Sequence, residues 1–191
     1  MEMLIHHLFL KESQGKGQVL RQWFQDQQLQ ENYRMATNKY LNALKRSFEV
    51  KGYENFDSYD YLHAIGSAKE ALLYAGLFCP DLIEIEDMVL LKMKVDDEVN
   101  LKGLYKLKSE GKRTHQEIEK SFNFVEVPYC FASGRNDLSE EEETLLAELI
   151  ASSWRGRLIT EYPNRRFKVM VAKVGDLSDV VAVVFFEERG I

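Results

Sequence analysis

Cysteine, proline and long apolar runs are scarce in this chain, and each scarcity removes a class of protein. Two cysteines, Cys79 and Cys130, are too few for a disulfide framework. Three prolines and 11 glycines among 191 residues argue against a long disordered linker. No apolar run reaches the roughly 18 residues of a membrane-spanning helix. Residues 1–7, MEMLIHH, lack a basic stretch leading into an apolar run and a small-residue cleavage site. The expected location is therefore the cytoplasm, with no membrane among the partners.

Chemical motifs are equally sparse. Gly15-Lys16-Gly17 falls outside the GxxxxGK[ST] spacing of a nucleotide-binding loop. Of the four histidines, His6 and His7 would point to opposite faces of a strand, and His63 and His115 stand far apart. No metal and no cofactor are expected. Cys79 sits at an expected helix C-terminus, where the dipole disfavours a thiolate, and Cys130 lies between Tyr129 and Phe131. His115 approaching Cys130 in space is the one arrangement that would make a reactive thiol. Carboxylates are abundant, but Glu140–Glu143 suit the start of a helix, and Glu84 and Glu86 share one face of an expected strand. No catalytic residue is assigned.

What remains is an acidic chain with an apolar share large enough for a core: 45% hydrophobic, 29% charged, net charge -6. Such a charge disfavours nucleic-acid phosphates. The most strongly specified stretch is 57–95. Apolar residues Tyr61, Leu62, Ile65, Ala68, Leu72 and Leu73 recur at helical spacing over 58–77, and Asp60, His63, Ser67 and Glu70 take the other face. Ala75 and Gly76 are small enough for another element to approach closely. Cys79-Pro80 ends the helix. Alternation over 82–95 then predicts a strand, with a turn or bulge at Asp87.

Elsewhere, 3–10 fits strand or helix, 13–17 is a loop, and a glutamine-rich segment over 18–28 precedes a helix over 30–50 with Tyr33, Tyr40, Leu41, Leu44 and Phe48 as its stripe. A helix is expected from 96–98 to Glu110, ended by Gly111. Thr114 with Glu117 and Ser139 with Glu142 are capping-box pairs that start two more helices. Pro128 makes 124–131 an edge strand or an extended segment rather than a central strand. In the long helix after Ser139, the buried stripe is Leu145, Leu146, Leu149, Ile150, Ser153, Trp154 and Leu158. Strands at 167–174 and 180–187 close the chain as a hairpin, and the second, apolar on both faces, must be covered on both sides or lie in an interface. The fold class is α+β, a mixed or antiparallel sheet packed by helices. One domain over 1–191 is expected, with a helical lobe over 1–80 as the other division.

The candidate site is a basic, aromatic run in an acidic protein. Trp154, Arg155, Arg157, Tyr162, Arg165 and Arg166, with Lys168, meet one acid, Glu161. Arginine and aromatic rings together suit planar anions, phosphates or an acidic partner. The competing reading is a helix end balanced by arginines around a core tryptophan. Without a catalytic constellation, the function expected is a non-enzymatic binding or interaction protein, partnered by a protein or by its own copy through 180–186 or the first helices. The alternatives are a sensor or enzyme for an anionic metabolite, clamped by those arginines, and an acidic neutraliser of a basic protein.

Overall fold

Two hydrophobic clusters share one strand, and that strand organises the larger part of the chain. A computed structural model describes residues 27–39, 41–42, 57–131, 138–172, 175 and 180–189. The chain divides into two compact units, residues 1–57 and 58–191. In the first, a helix over 27–39 (α1) continues at 41–42. Gln28 donates to Asn32 at 3.0 Å and Arg34 pairs with Glu31 at 3.1 Å. Tyr33, expected in an apolar stripe, is 47% exposed. The expectations for 3–10, 13–17 and 18–26, the rest of the helix toward 50, and the loop at 133–137 fall outside the described residues.

The second unit runs α2 (Ser58–Ile65), α3 (Ala68–Phe78), β1 (Leu82–Ile85), β2 (Met88–Leu91), α4 (Glu98–Ser109), α5 (His115–Phe122), β3 (Phe124–Glu126), α6 (Glu140–Glu161), β4 (Phe167–Ala172) and β5 (Ala182–Glu187). The fold is α+β, and both sheets are antiparallel: a β1–β2 hairpin and a three-stranded sheet in the order β3-β5-β4. Among the described residues, no helix is long and apolar enough to cross a membrane.

The expected helix over 58–77 is two helices. Gly66 donates its N–H to the Leu62 carbonyl at 2.8 Å, and a Cβ at position 66 would run into that carbonyl. Ser67 then caps α3 by accepting from the Glu70 N–H. The end came where Pro80 requires it, with Cys79 as C-cap.

The expected strand over 82–95 folds back on itself. Ile85 faces Met88, so Glu86 and Asp87 form a two-residue loop with φ of 49° and 66°. Positive φ at both positions is the hairpin turn that usually takes Asn-Gly or Asp-Gly. Here neither residue is glycine, at a cost of about 1 kcal/mol each. Cations offset it: Lys108 pairs with Glu86, and Arg165 and Arg189 both donate to the Asp87 carbonyl. Glu86 therefore does not share a strand face with Glu84. Past β2 the chain turns into a short 3-10 segment, Lys92–Lys94, and Met93 is exposed.

All four residues of β2 are buried. Val89 and Leu91 enter the cluster formed by Val183, Phe185, Ile150 and Trp154; Met88 and Leu90 enter the one formed with Leu104 and Ile118. Coverage by α4 and α5 on the second side is why a strand beside charged residues is apolar throughout. The other edge of β2 is closed by side chains of α5 and of its C-cap, Asn123. Asn123 accepts from the Leu91 N–H and donates to the Val89 carbonyl, both at 2.8 Å, and Glu119 accepts from the Val89 N–H at 3.2 Å. An open edge would leave these groups unpaired.

β5 is the central strand, buried from Ala182 to Phe186, so of the two expected settings it takes the interior one. α6 covers the face bearing Val183 and Phe185, and α5 the other, where Lys120 lies 4.3 Å from the Phe186 ring. β3 is an edge strand, but the strand expected over 124–131 stops at Glu126: Val127–Cys130 is a 3-10 segment, with Pro128 in its first turn, where its missing N–H costs nothing. Both capping boxes, Thr114–Glu117 and Ser139–Glu142, are formed.

Candidate functional site

The basic run of α6 and the following turn is dispersed rather than gathered. Trp154 is 1% exposed; its Nε1 donates to the Leu77 carbonyl at 2.8 Å and its ring meets Phe185 edge-on at 5.8 Å. It is a core residue, and its ring is not open for a planar anion to stack on. Arg157 pairs with Glu161 at 2.8 Å and reaches Asp81 at 3.9 Å. Arg165 grips both oxygens of Glu187, at 3.0 and 2.7 Å, and contacts Glu84 at 3.0 Å. A two-pronged guanidinium–carboxylate pair of this kind is among the stronger side-chain contacts. Tyr162 caps α6, half-buried, edge-on to Phe167 with Arg165 over its ring; burial pushes its phenol pKa up. Arg166 is exposed, and the Nε of Arg155 is buried with no hydrogen-bond partner among the described residues. Two of the four arginines are thus already paired with the chain's own carboxylates.

A second cluster surrounds Glu119 and was not visible in the sequence. This carboxylate is 0% exposed. One oxygen accepts from the Val89 N–H and the Arg189 guanidinium, the other from the Glu187 N–H at 2.8 Å. Desolvation pushes its pKa above the ordinary value, against the three donors. A buried, shifted carboxylate is a common mark of an active site. Here both oxygens are occupied by the fold itself, so Glu119 reads as a tie between α5, β2 and β5. The His115 Nδ1 lies 3.2 Å from the Arg189 guanidinium.

The third feature is α2–α3. The face expected to turn inward turns outward: Leu72 and Leu73 are each 76% exposed, Leu62 64% and Tyr59 78%, and Ala68 is exposed too. Tyr61 and Ile65 have side chains outside the described set. α3 touches the core through Leu77, with Phe78 half-buried beside it. Beyond its C-terminal half opens a cleft of about 650 Å³, with Leu73, Tyr74, Gly76 and Met93 on its apolar part and Glu70, Asp81, Asp96 and Lys92 as its charges. Cys79 and Cys130 line it as well. Burial pushes the Cys130 thiol up, which makes it a poor nucleophile, and Cys79 lies 3.8 Å from the Ser153 hydroxyl. Among the described residues, no three His, Cys, Asp or Glu side chains come together as a metal-holding group.

This cleft combines an apolar wall, soft side chains and a charged rim. The sequence carried its signal in one place, the small pair Ala75-Gly76 where close approach was expected. Comparisons with protein-family profiles, curated proteins and solved structures find no match.

Proposed function

We propose that the protein is a non-enzymatic interaction protein that engages another polypeptide through the outward face of α2 and α3. The observation that carries this reading is the burial of α3. Apart from Lys69 and Glu70 its residues are uncharged and mostly apolar, yet only Leu77 is buried while Leu72 and Leu73 are 76% exposed. Neighbouring large apolar side chains this exposed on one helix are uncommon unless something binds them. The pairing of Arg157 and Arg165 with chain carboxylates favours this role over an anionic-metabolite clamp.

The test is a photo-cross-linking amino acid at Leu73, with one at exposed Glu148 as the control, in the protein's own host. The expected result is one discrete adduct at position 73, identified by peptide mapping and lost when Leu62 and Leu72 are changed to Ser. The same adducts at both positions, or none at position 73, would overturn the proposal.

A further inference from the structure

We infer that the occupant of this face is an amphipathic helix of a different protein, with bulky apolar side chains on one side and lysines or arginines flanking them. The inference rests on the interaction role proposed above and names the partner's chemistry.

Shape comes first. The surface is helical, and the backbone of α3 is engaged within its own helix, so an extended segment finds no sheet edge to join there. Eleven residues make α3 about 16 Å long, the span of three turns of a partner helix. Apolar anchors three and four residues apart on such a helix would lie along Leu72 and Leu73, with one entering the cleft beside Tyr74 and Met93.

Gly76 is the second observation. It sits inside α3 on the same side as Leu72 and Leu73, where glycine weakens a helix. A Cβ there would meet nothing within 4 Å, so nothing in the described chain requires its absence. A bare backbone at the cleft's edge is what allows a second helix to come close.

Charge decides between partners. The cleft has three carboxylates, Glu70, Asp81 and Asp96, against one ammonium, Lys92, a formal balance of 1 − 3 = −2. Asp81 has only the 3.9 Å contact to Arg157, and no ion pair engages Glu70 or Asp96 among the described residues. A second copy of the chain would bring this same acidic rim to it, whereas basic residues beside the apolar stripe would meet complementary charge.

The probe is a labelled synthetic helix of about 18 residues, Leu and Trp on one face and Lys on the other. A counterpart carries Glu in place of Lys. Each is titrated by fluorescence anisotropy into the full chain, the Gly76→Gln variant and the Glu70→Gln, Asp96→Asn double variant. The Lys peptide should saturate one site. Gly76→Gln, which improves helix propensity without changing charge, should weaken it about tenfold or more while the melting temperature holds or rises. The double variant and the Glu peptide should each weaken binding by about tenfold too. Absence of binding, equal binding of both peptides, or affinity unchanged by Gly76→Gln would overturn the inference. So would preferential binding to phosphatidylcholine vesicles. An adduct at position 73 identified as a partner without a basic helix would sink this inference and leave the interaction role standing.

Discussion

Glu119 shows how a residue can look functional and be structural. Water is excluded from its carboxylate, so the charged form is disfavoured and the folded-state pKa lies above the ordinary 4.5, although two backbone N–H groups and Arg189 pull the other way. Between 4.5 and that raised value the folded protein holds a proton the unfolded chain has released. Stability from this group is therefore fullest on the acid side and declines as pH rises through that window. Glu119→Gln removes the titration. Its amide can also satisfy only one of the Val89 and Glu187 N–H groups, leaving the other unpaired at a cost of about 1–3 kcal/mol. In urea titrations from about pH 4 to about pH 8, the native protein's margin over the variant should shrink with rising pH. A margin that grows with pH would contradict the assignment. The capping pairs Thr114–Glu117 and Ser139–Glu142 were legible because cap and partner are three residues apart. Glu119 was not, since its donors at Val89 and Glu187 stand 30 and 68 residues away.

At the scale of elements, α6 was read well and α3 was not, for one physical reason. Periodicity reports that an apolar face exists, and it is silent on whether the chain itself covers that face. The α6 stripe meets β4 and β5, and its Ile150, Trp154 and Leu158 are buried as expected, although Leu145, Leu146 and Leu149 are only half-buried. The corner after residue 57 was right about Pro80 and wrong about its interior. Gly66 breaks it, and Ser67 with Glu70 three residues on is a cap signal that the apolar spacing obscured. The turn at Asp87 was legible, but not that it reverses the chain into a hairpin, because the loop lacks glycine and is held by distant arginines. Trp154 ties α6 to α3 through the Leu77 carbonyl. Trp154→Phe keeps an aromatic ring but leaves that buried acceptor unpaired, and should lower unfolding free energy by about 2 kcal/mol in denaturant titration. A loss well below about 0.5 kcal/mol, the range of ordinary surface changes, would mean that the bond is not formed in solution.

For the whole molecule, the α+β class and the antiparallel sheets follow from alternating strands among capped helices. The candidate surface follows from where coverage stops. α5 and α6 enclose β5, α4 and α5 close over β2, and α3 is left with one buried leucine and an acidic cleft at its end. The basic run chosen from composition turned out to be divided among the core, ion pairs and solvent. Net charge was a better guide, since the acidic excess reappears at the cleft.

The most direct measurement compares thermal melts of the Leu72→Ser, Leu73→Ser double variant with those of Leu77→Ser. If the outward face of α3 is free for a partner, the double variant melts within a few degrees of the native chain while Leu77→Ser, at the 7% exposed position, falls well below it. A double variant as destabilised as Leu77→Ser would show that Leu72 and Leu73 belong to the folded core, and the interaction surface would be lost with them.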